Sequence, residues 1–135
     1  MAHFAQLDAD NAVLRVVYVP NDVIALADGT EDEAAGIAYC VHHAGEGPWI
    51  QASYNGNMRN RYPAIGDAYR DDLDAFIRPQ PYPSWILDLN ANDDWIAPVP
   101  QPVDDEVSWW EWDEGNLTWV GVYAPQKPKV EVLGE

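Results

Sequence analysis

The pattern of hydrophobic and polar positions in residues 1–66 predicts a small antiparallel sheet. Residues 3–7 alternate between apolar and polar positions, and residues 13–19 form the most β-prone run of the chain. The polar residues 8–11 between them are typical of a turn, so these two runs predict an amino-terminal hairpin. Residues 49–54 predict a further strand, whereas residues 22–27 fit either a short strand or one turn of helix.

One helix of about three turns is predicted over residues 31–43. Apolar residues recur there at helical intervals: Ala34, Ile37, Ala38 and Val41. Thr30 and Glu33, three residues apart, fit a capping box at the start of this helix. Glycine is the usual residue just after a helix, so we expect the helix to end at Gly45 or Gly47.

Residues 68–128 contain one module three times. In each copy, a short strand-like run leads to polar turn residues, a returning aromatic residue, a branched apolar residue and then proline. The copies cover residues 68–77, 84–96 and 110–120, and Pro-Xaa-Pro segments connect them. Turn residues between two short aromatic strands are typical of β-hairpins. Residues 129–133 alternate and fit either an edge strand or a segment that orders against a partner.

Together these patterns predict a mainly β (α+β) protein in two parts. Residues 1–66 form an amino-terminal α+β body, a small antiparallel sheet with one short helix. Residues 67–135 form an arm rich in Trp and Pro, a series of aromatic β-hairpins joined by proline-rich connectors.

A single two-stranded hairpin is marginal in water, so these hairpins need a surface to pack on. Burying two indole rings contributes only a few kcal/mol, at roughly 1.5–3 kcal/mol for each large apolar side chain. Ordering about ten residues costs on the order of 10 kcal/mol of backbone entropy. We therefore expect the hairpins to pack on each other, on the amino-terminal body or on another protein.

Composition and charge narrow the range of partners. Seven Trp and seven Tyr stand beside only two Phe, and such amphipathic rings suit thin cores and contact surfaces. The formal net charge is −16, so phosphate groups repel the chain and we expect it to bind neither nucleic acid nor a membrane. Residues 80–125 contain no Lys or Arg, which fits either a solvated face or a docking surface for a basic partner.

No set of residues has the spacing of a metal or catalytic site. Cys40 lies near His42 and His43, but zinc-site spacings are absent, and a lone cysteine favours a buried thiol. Four residues alternate oxygen ligands as a calcium loop does, yet the same residues are typical of a hairpin turn: Asp88, Asn90, Asn92 and Asp94. Paired acids lie in predicted turns, where solvent keeps both ionised. We expect no cofactor, no metal and no enzymatic activity.

A family resemblance rests on six segments of the chain. They are HFAQLD (residues 3–8), GIA (36–38), QASYNGN (51–57), RY (61–62), LDAFI (73–77) and PYPSW (81–85). In this order they resemble a small family of virion-associated structural proteins of tailed bacteriophages that infect marine and freshwater bacteria. The resemblance extends to about residue 100, and the last Trp hairpin is similar in kind. It implies a structural protein of the virion, but none of the motifs carries a known activity or site residue.

We therefore expect a non-enzymatic virion protein that decorates or cements the capsid, made in the host cytoplasm. Its partner is the major capsid protein, another virion protein or further copies of itself. The alternative is a tail-associated part, either a fibre adaptor or a receptor-binding module that stacks Trp on host sugars. The residues predicted to contact the partner are Trp85, Trp95, Trp109, Trp110, Trp112 and Trp119, with Arg59 and Arg61 against acidic patches.

Overall fold

The structure, a computed structural model, describes residues 2–125. Its helices are α1 (Asn21–Ile24) and α2 (Glu33–Ala44). Its strands are β1 (Ala2–Leu7), β2 (Val13–Val19), β3 (Trp49–Ala52), β4 (Ala68–Arg70), β5 (Ala75–Ile77), β6 (Ile86–Leu87), β7 (Trp95–Ile96), β8 (Trp109–Asp113) and β9 (Thr118–Val122). The predicted mainly β fold, a small antiparallel sheet with a helix and three hairpins, is confirmed. The strand considered at residues 129–133 lies outside the described residues.

Strands β1, β2 and β3 form one antiparallel sheet in the order β2-β1-β3. β1 pairs with β2 along its whole length, with a bulge after Gln6, which confirms the predicted amino-terminal hairpin. Asp8 closes the turn, because its Oδ1 accepts hydrogen bonds from the backbone N–H groups of Asp10 (2.8 Å) and Ala12 (2.9 Å). Residues 22–27, left open by the sequence, begin with the single helical turn α1.

Helix α2 begins differently from the prediction. Asp32 is the N-cap residue, and its Oδ1 accepts a hydrogen bond of 3.3 Å from the backbone N–H of Ala35. Thr30 instead donates its hydroxyl to Asp28, and Glu33 lies inside the helix. The predicted capping box was therefore wrong, because an acid two residues further along caps the helix.

In the part of the chain that the structure describes, no helix has the length and apolar character needed to cross a membrane.

The face of α2 that packs on the sheet consists of small residues. Gly36 and Cys40 are buried, and a Cβ on Gly36 would lie 2.1 Å from Cζ of Phe4, a fully buried ring of β1. Three of the predicted apolar positions are exposed instead: Ala34, Ala38 and Val41. The spacing therefore predicted the helix but not its buried face, because the Phe4 ring requires a residue without a side chain. The predicted end at Gly45 is confirmed, with φ 115° there.

The first hairpin, β4–β5, covers the opposite face of the sheet. Phe76 of β5 is fully buried in a cluster with residues of β1, β2 and β3: Ala5, Leu7, Val13 and Ala52. The backbone also joins them, because the N–H of Val13 donates to the carbonyl of Asp67 at 2.7 Å. These contacts cross the predicted boundary between residues 66 and 67. Helix, sheet and first hairpin therefore form three consecutive layers.

The second hairpin (β6–β7) and the third (β8–β9) follow as separate two-stranded sheets. The second has strands of only two residues, and Asp88 organises its turn by accepting a hydrogen bond of 2.9 Å from the backbone N–H of Asn90. The third is longer and pairs Trp112 directly opposite Trp119. All three predicted hairpins are therefore confirmed.

Candidate functional site

Three of the predicted contact residues pack on one another where the second and third hairpins meet. The ring centroids of Trp112 and Trp119 are 5.2 Å apart, and Trp85 lies 6.1 and 5.9 Å from them. The rings meet at interplanar angles of 66°, 71° and 86°, the edge-to-face arrangement that ring quadrupoles favour. Trp112 is buried and the other two are half-buried. We call Trp85, Trp112 and Trp119 the tryptophan junction.

Glu114, in the turn of the third hairpin, fastens the tryptophan junction. Its carboxylate accepts hydrogen bonds from the hydroxyl of Ser84 (2.6 Å), from the backbone N–H of Ser84 (3.1 Å) and from Nε1 of Trp112 (2.8 Å). The bonds from Ser84, and then that from Trp112, lower the pKa of Glu114 below its ordinary value. The carboxylate therefore joins the two hairpins in its charged form.

Trp119 also holds the proline-rich connector between these hairpins. Its Nε1 donates a hydrogen bond of 2.8 Å to the carbonyl of Val99, which lies between Pro98 and Pro100. Extended proline-rich segments leave their carbonyls free for such donors. An apolar groove of about 570 Å³ lies beside this contact. Its walls include Trp85, Ile86, Ile96, Pro98, Pro100 and Trp119.

A second groove combines indole rings with polar side chains, and we call it the polar groove. Its volume is about 470 Å³, and its lining includes Trp85, Trp95, Arg78, Asn92 and Asp93. Nε1 of Trp95 donates to the carbonyl of Arg78 at 2.8 Å, so the groove lies between the segment that follows the first hairpin and one side of the second hairpin. The polar groove therefore brings together two of the predicted Trp residues with groups that the sequence did not single out.

The guanidinium of Arg78 is fixed by a buried carboxylate. Its Nη1 lies 2.7 Å from Oδ2 of Asp67, and Asp67 is itself buried. The same oxygen accepts a hydrogen bond of 2.9 Å from the backbone N–H of Ala64. Arg78 is thus held at the groove by a partner eleven residues earlier in the chain.

Trp109 is the most exposed of the six predicted Trp residues. Strand pairing places it opposite Val122, with Glu111 opposite Val120 on the same side of the third hairpin. We call Trp109, Glu111, Val120 and Val122 the outer face. Trp109 is 47% exposed and Val120 is 44% exposed. The outer face therefore presents apolar surface that the tryptophan junction does not use.

Trp110 points to the other side of the same hairpin and is half-buried. It lies opposite Gly121, where a Cβ would be 3.4 Å from Cζ3 of Trp110 and 2.9 Å from Cγ2 of Val107. The glycine leaves room for both side chains. Trp110 therefore packs across its own hairpin.

Arg59, predicted to contact an acidic patch of a partner, is held within the chain. Its guanidinium donates to Glu33 (3.0 Å), to Asp74 (2.8 Å) and to the carbonyl of Gln51 (2.9 Å). Glu33 also accepts a hydrogen bond of 2.9 Å from the N–H of Gln51, so this ion pair caps the outer edge of β3. Burial opposes the charge of Arg59, but hydrogen bonds and charges from Asp74 and Glu33 raise its pKa above the ordinary value.

Arg61 is also engaged within the chain. Its Nε lies 3.1 Å from Oδ2 of Asp94, as an ion pair without hydrogen-bond geometry, and its Nη2 donates to the carbonyl of Asn92. Asp94 is 1% exposed and accepts hydrogen bonds from Nδ2 of Asn60 (2.9 Å) and the N–H of Arg78 (3.0 Å). The partner contacts predicted for Arg59 and Arg61 stay predictions, and the surface proposed below does not include them.

Candidate metal ligands are not brought together among residues 2–125. No group of three or more His, Cys, Asp or Glu side chains in this range is placed to hold a metal ion. Asp94, one of the four alternating oxygen ligands, is already paired with protein groups. Cys40 is buried as predicted, and burial raises the pKa of its thiol.

Sequence reasoning missed three residues of the site. Glu114 belongs, with Asp113, to the paired acids for which the sequence predicts a solvated turn, and no sequence pattern marked Asp67 or Arg78. Their partners are 30 and 11 residues away along the chain, so no local pattern marks them. The only signal is that Arg78 is the last base before a stretch of 48 residues without Lys or Arg, from 79 to 126.

Comparisons of the chain with protein-family models, with curated proteins and with solved structures gave no match.

Proposed function

We propose that this chain is a non-enzymatic structural protein of a tailed-phage virion, which binds the capsid surface as a decoration or cement protein. Its partner in this proposal is the major capsid protein. The resemblance of its segments to a virion-associated family supports the class of protein. The observation that carries the mode of binding is the outer face, where Trp109 and Val120 stay exposed although the hairpin has its own aromatic core.

The charge distribution supports a partner with basic surface. Each of the five arginines, all within residues 2–125, is bonded to groups of its own chain: Arg15, Arg59, Arg61, Arg70 and Arg78. Glu111 of the outer face accepts a hydrogen bond of 3.1 Å from Nε1 of Trp109 and has no base as a partner among the described residues. An apolar patch bordered by Lys or Arg on the capsid therefore complements the outer face, with Glu111 opposite a base.

The distribution of carboxylates favours a binding role for the polar groove over glycoside hydrolysis. Hydrolysis of glycosides needs two carboxyl groups across one cleft. Asp93 is the one acid in the lining of the polar groove, within the part of the chain that the structure describes. The buried acids Asp67 and Asp94 are occupied by arginines and backbone N–H groups.

A binding assay with empty capsids tests the capsid proposal. The purified chain is mixed with capsids of the same phage that lack it, and the bound fraction is measured by co-sedimentation. Trp109→Ala is expected to lower the bound fraction strongly, because a central aromatic anchor carries much of an interface. Tyr18→Ala removes an exposed ring from β2 and serves as the matched control, which is expected to bind as the wild type does. Equal binding of the two variants overturns the proposal.

A second candidate is a tail-associated adaptor or receptor-binding module. The polar groove favours it, because paired indoles and polar groups suit a sugar of the host surface. Electron microscopy of the intact particle, together with copy number from a quantitative gel, separates the two. A copy number that follows the capsid lattice supports decoration, whereas a few copies at one vertex support the tail.

A further inference from the structure

We infer that the polar groove is a binding site for a neutral saccharide. In this site a sugar ring lies against the indoles of Trp85 and Trp95, and its hydroxyls bond to Arg78, Asn92 and Asp93. The inference rests on the second candidate function, which gives this groove a sugar of the host surface, and it adds that the sugar is neutral and which side chains bind it. It does not depend on the capsid proposal. It also differs from the outer face, which belongs to another hairpin.

The indole walls of the polar groove are held in place without a ligand. The ring of Trp95 is fixed by its hydrogen bond of 2.8 Å to the carbonyl of Arg78. The ring of Trp85 is fixed by its edge-to-face contacts in the tryptophan junction and by Tyr82, whose ring centroid is 5.9 Å away. A site whose walls are already ordered loses little entropy on binding. The groove is therefore preorganised for a rigid ligand with a flat ring face.

The polar groups of the groove still have hydrogen-bonding capacity. Arg78 uses Nη1 for Asp67, and its other guanidinium nitrogens have no acceptor among residues 2–125. The side chains of Asn92 and Asp93 have no bonded partner in this same range. Donors and acceptors are thus both available beside apolar ring faces.

This combination matches the chemistry of a neutral sugar. A pyranose ring has a C–H face that packs on an indole, and hydroxyl groups at its rim that both donate and accept hydrogen bonds. Asp93 disfavours an anionic ligand, and the guanidinium of Arg78 disfavours a cationic one. The volume of about 470 Å³ lies within the range of about 300–1,000 Å³ that is typical of small-molecule sites.

Indole signals in nitrogen–proton NMR spectra test the inference on the full chain. The seven Trp residues give separate indole N–H signals, which Trp→Phe variants assign. Maltose, cellobiose and diacetylchitobiose are titrated as neutral probes, and N-acetylarginine amide as a cationic probe. At least one disaccharide is expected to shift the signals of Trp85 and Trp95 in a saturable way, with a Kd of about 1 mM or below. The signals of Trp49 and Trp109 are expected to stay unchanged.

Variants decide whether the shifts come from the polar groove. Trp95→Ala, and the exposed substitutions Asn92→Ala and Asp93→Ala, are expected to weaken binding about tenfold or more. Tyr18→Ala, which removes an exposed ring of β2 outside the groove, is expected to leave the affinity unchanged. The exposed variants keep the test valid if Trp95→Ala fails to fold. The inference is overturned if none of the three disaccharides shifts Trp85 and Trp95, or if Asn92→Ala and Asp93→Ala bind normally. Saturable binding of the arginine probe alone also overturns it, in favour of a basic peptide.

Discussion

Single arginine side chains join the layers of this molecule. Arg59 connects α2 and the edge of β3 to the first hairpin, and Arg78 connects the first hairpin to the segment before it. Arg61 connects the loop after β3 to the turn of the second hairpin through Asp94. Each guanidinium presents several donors in one plane, so it suits a position where three segments meet. In a thin fold, the ion pairs and hydrogen bonds of these arginines replace contacts that a larger hydrophobic core provides.

The contribution of Arg59 to stability can be tested by comparing it with Arg70. Arg59→Ala is expected to lower the free energy of unfolding by about 1–3 kcal/mol, because it leaves the carbonyl of Gln51 without its donor and removes the guanidinium that pairs with the carboxylate of Glu33. Arg70→Ala is the control: among residues 2–125, the guanidinium of Arg70 pairs only with Asp72 on the exposed surface, and such pairs contribute little. Urea unfolding curves measure both. Equal midpoints for the two variants contradict the role given to Arg59.

Glu114 makes the stability of the tryptophan junction depend on pH. Its pKa is lower in the folded chain than the ordinary value of 4.5, so its charge stabilises the fold above pH 4.5, and this contribution is lost as the pH falls through the folded pKa. Glu114→Gln is therefore expected to lower Tm at neutral pH, with a difference from wild type that shrinks as the pH falls below 4.5. Calorimetric Tm values across an acidic pH series measure this.

The control for the Glu114 prediction is Glu106→Gln. Glu106 is exposed, and its side chain has no bonded partner among the described residues, so the same change of charge occurs without the junction. Its Tm is expected to stay at or slightly above that of the wild type at every pH, since the chain carries an excess of negative charge. If the Tm difference between Glu114→Gln and the wild type stays constant down to low pH, the charged form of Glu114 does not stabilise the tryptophan junction.

At the scale of elements, the strands and turns were predictable because their signals are local. Alternation, turn residues and proline positions lie within about ten residues of one another, and they predicted all three hairpins and the amino-terminal pair. The surfaces on which these elements pack were not predictable in the same way. The face of α2 depends on the ring of Phe4, and the cap of β3 depends on Arg59. Such contacts join positions far apart in the chain.

The third hairpin offers a direct test of the two roles given to its Trp residues. Trp112→Ala removes a buried ring of the tryptophan junction and is expected to cost about 3–5 kcal/mol of unfolding free energy. Trp109→Ala, on the same strand, removes a ring that is 47% exposed, and is expected to cost less than about 1 kcal/mol. Denaturant unfolding compares them. If Trp109→Ala costs as much as Trp112→Ala, the outer face is part of the core and not a free surface.

At the scale of the whole molecule, the hairpins meet their need for a packing surface within the described chain. The first covers the sheet through Phe76, and the second and third share the tryptophan junction. The aromatic residues therefore divide into an inner set that holds the fold and an outer set that is free for contacts. The sequence left these alternatives open, because identical Trp residues on one strand serve both sets. Only the pairing of β8 with β9 separates Trp112 from Trp109.

Net charge sets the last whole-molecule property, the response to salt. The chain has a formal net charge of −16, and its arginines are engaged in contacts between its layers. The remaining acids therefore repel one another over long distances. The screening length falls from about 30 Å at 0.01 M salt to about 8 Å at 0.15 M, whereas partly buried pairs such as Arg78–Asp67 are screened much less. Tm is therefore expected to rise with sodium chloride over this range.

The double variant Asp105→Asn/Glu106→Gln, in the exposed connector, is expected to raise Tm at low salt and to reduce its salt dependence. A Tm that falls as salt is added shows instead that the ion pairs outweigh the repulsion.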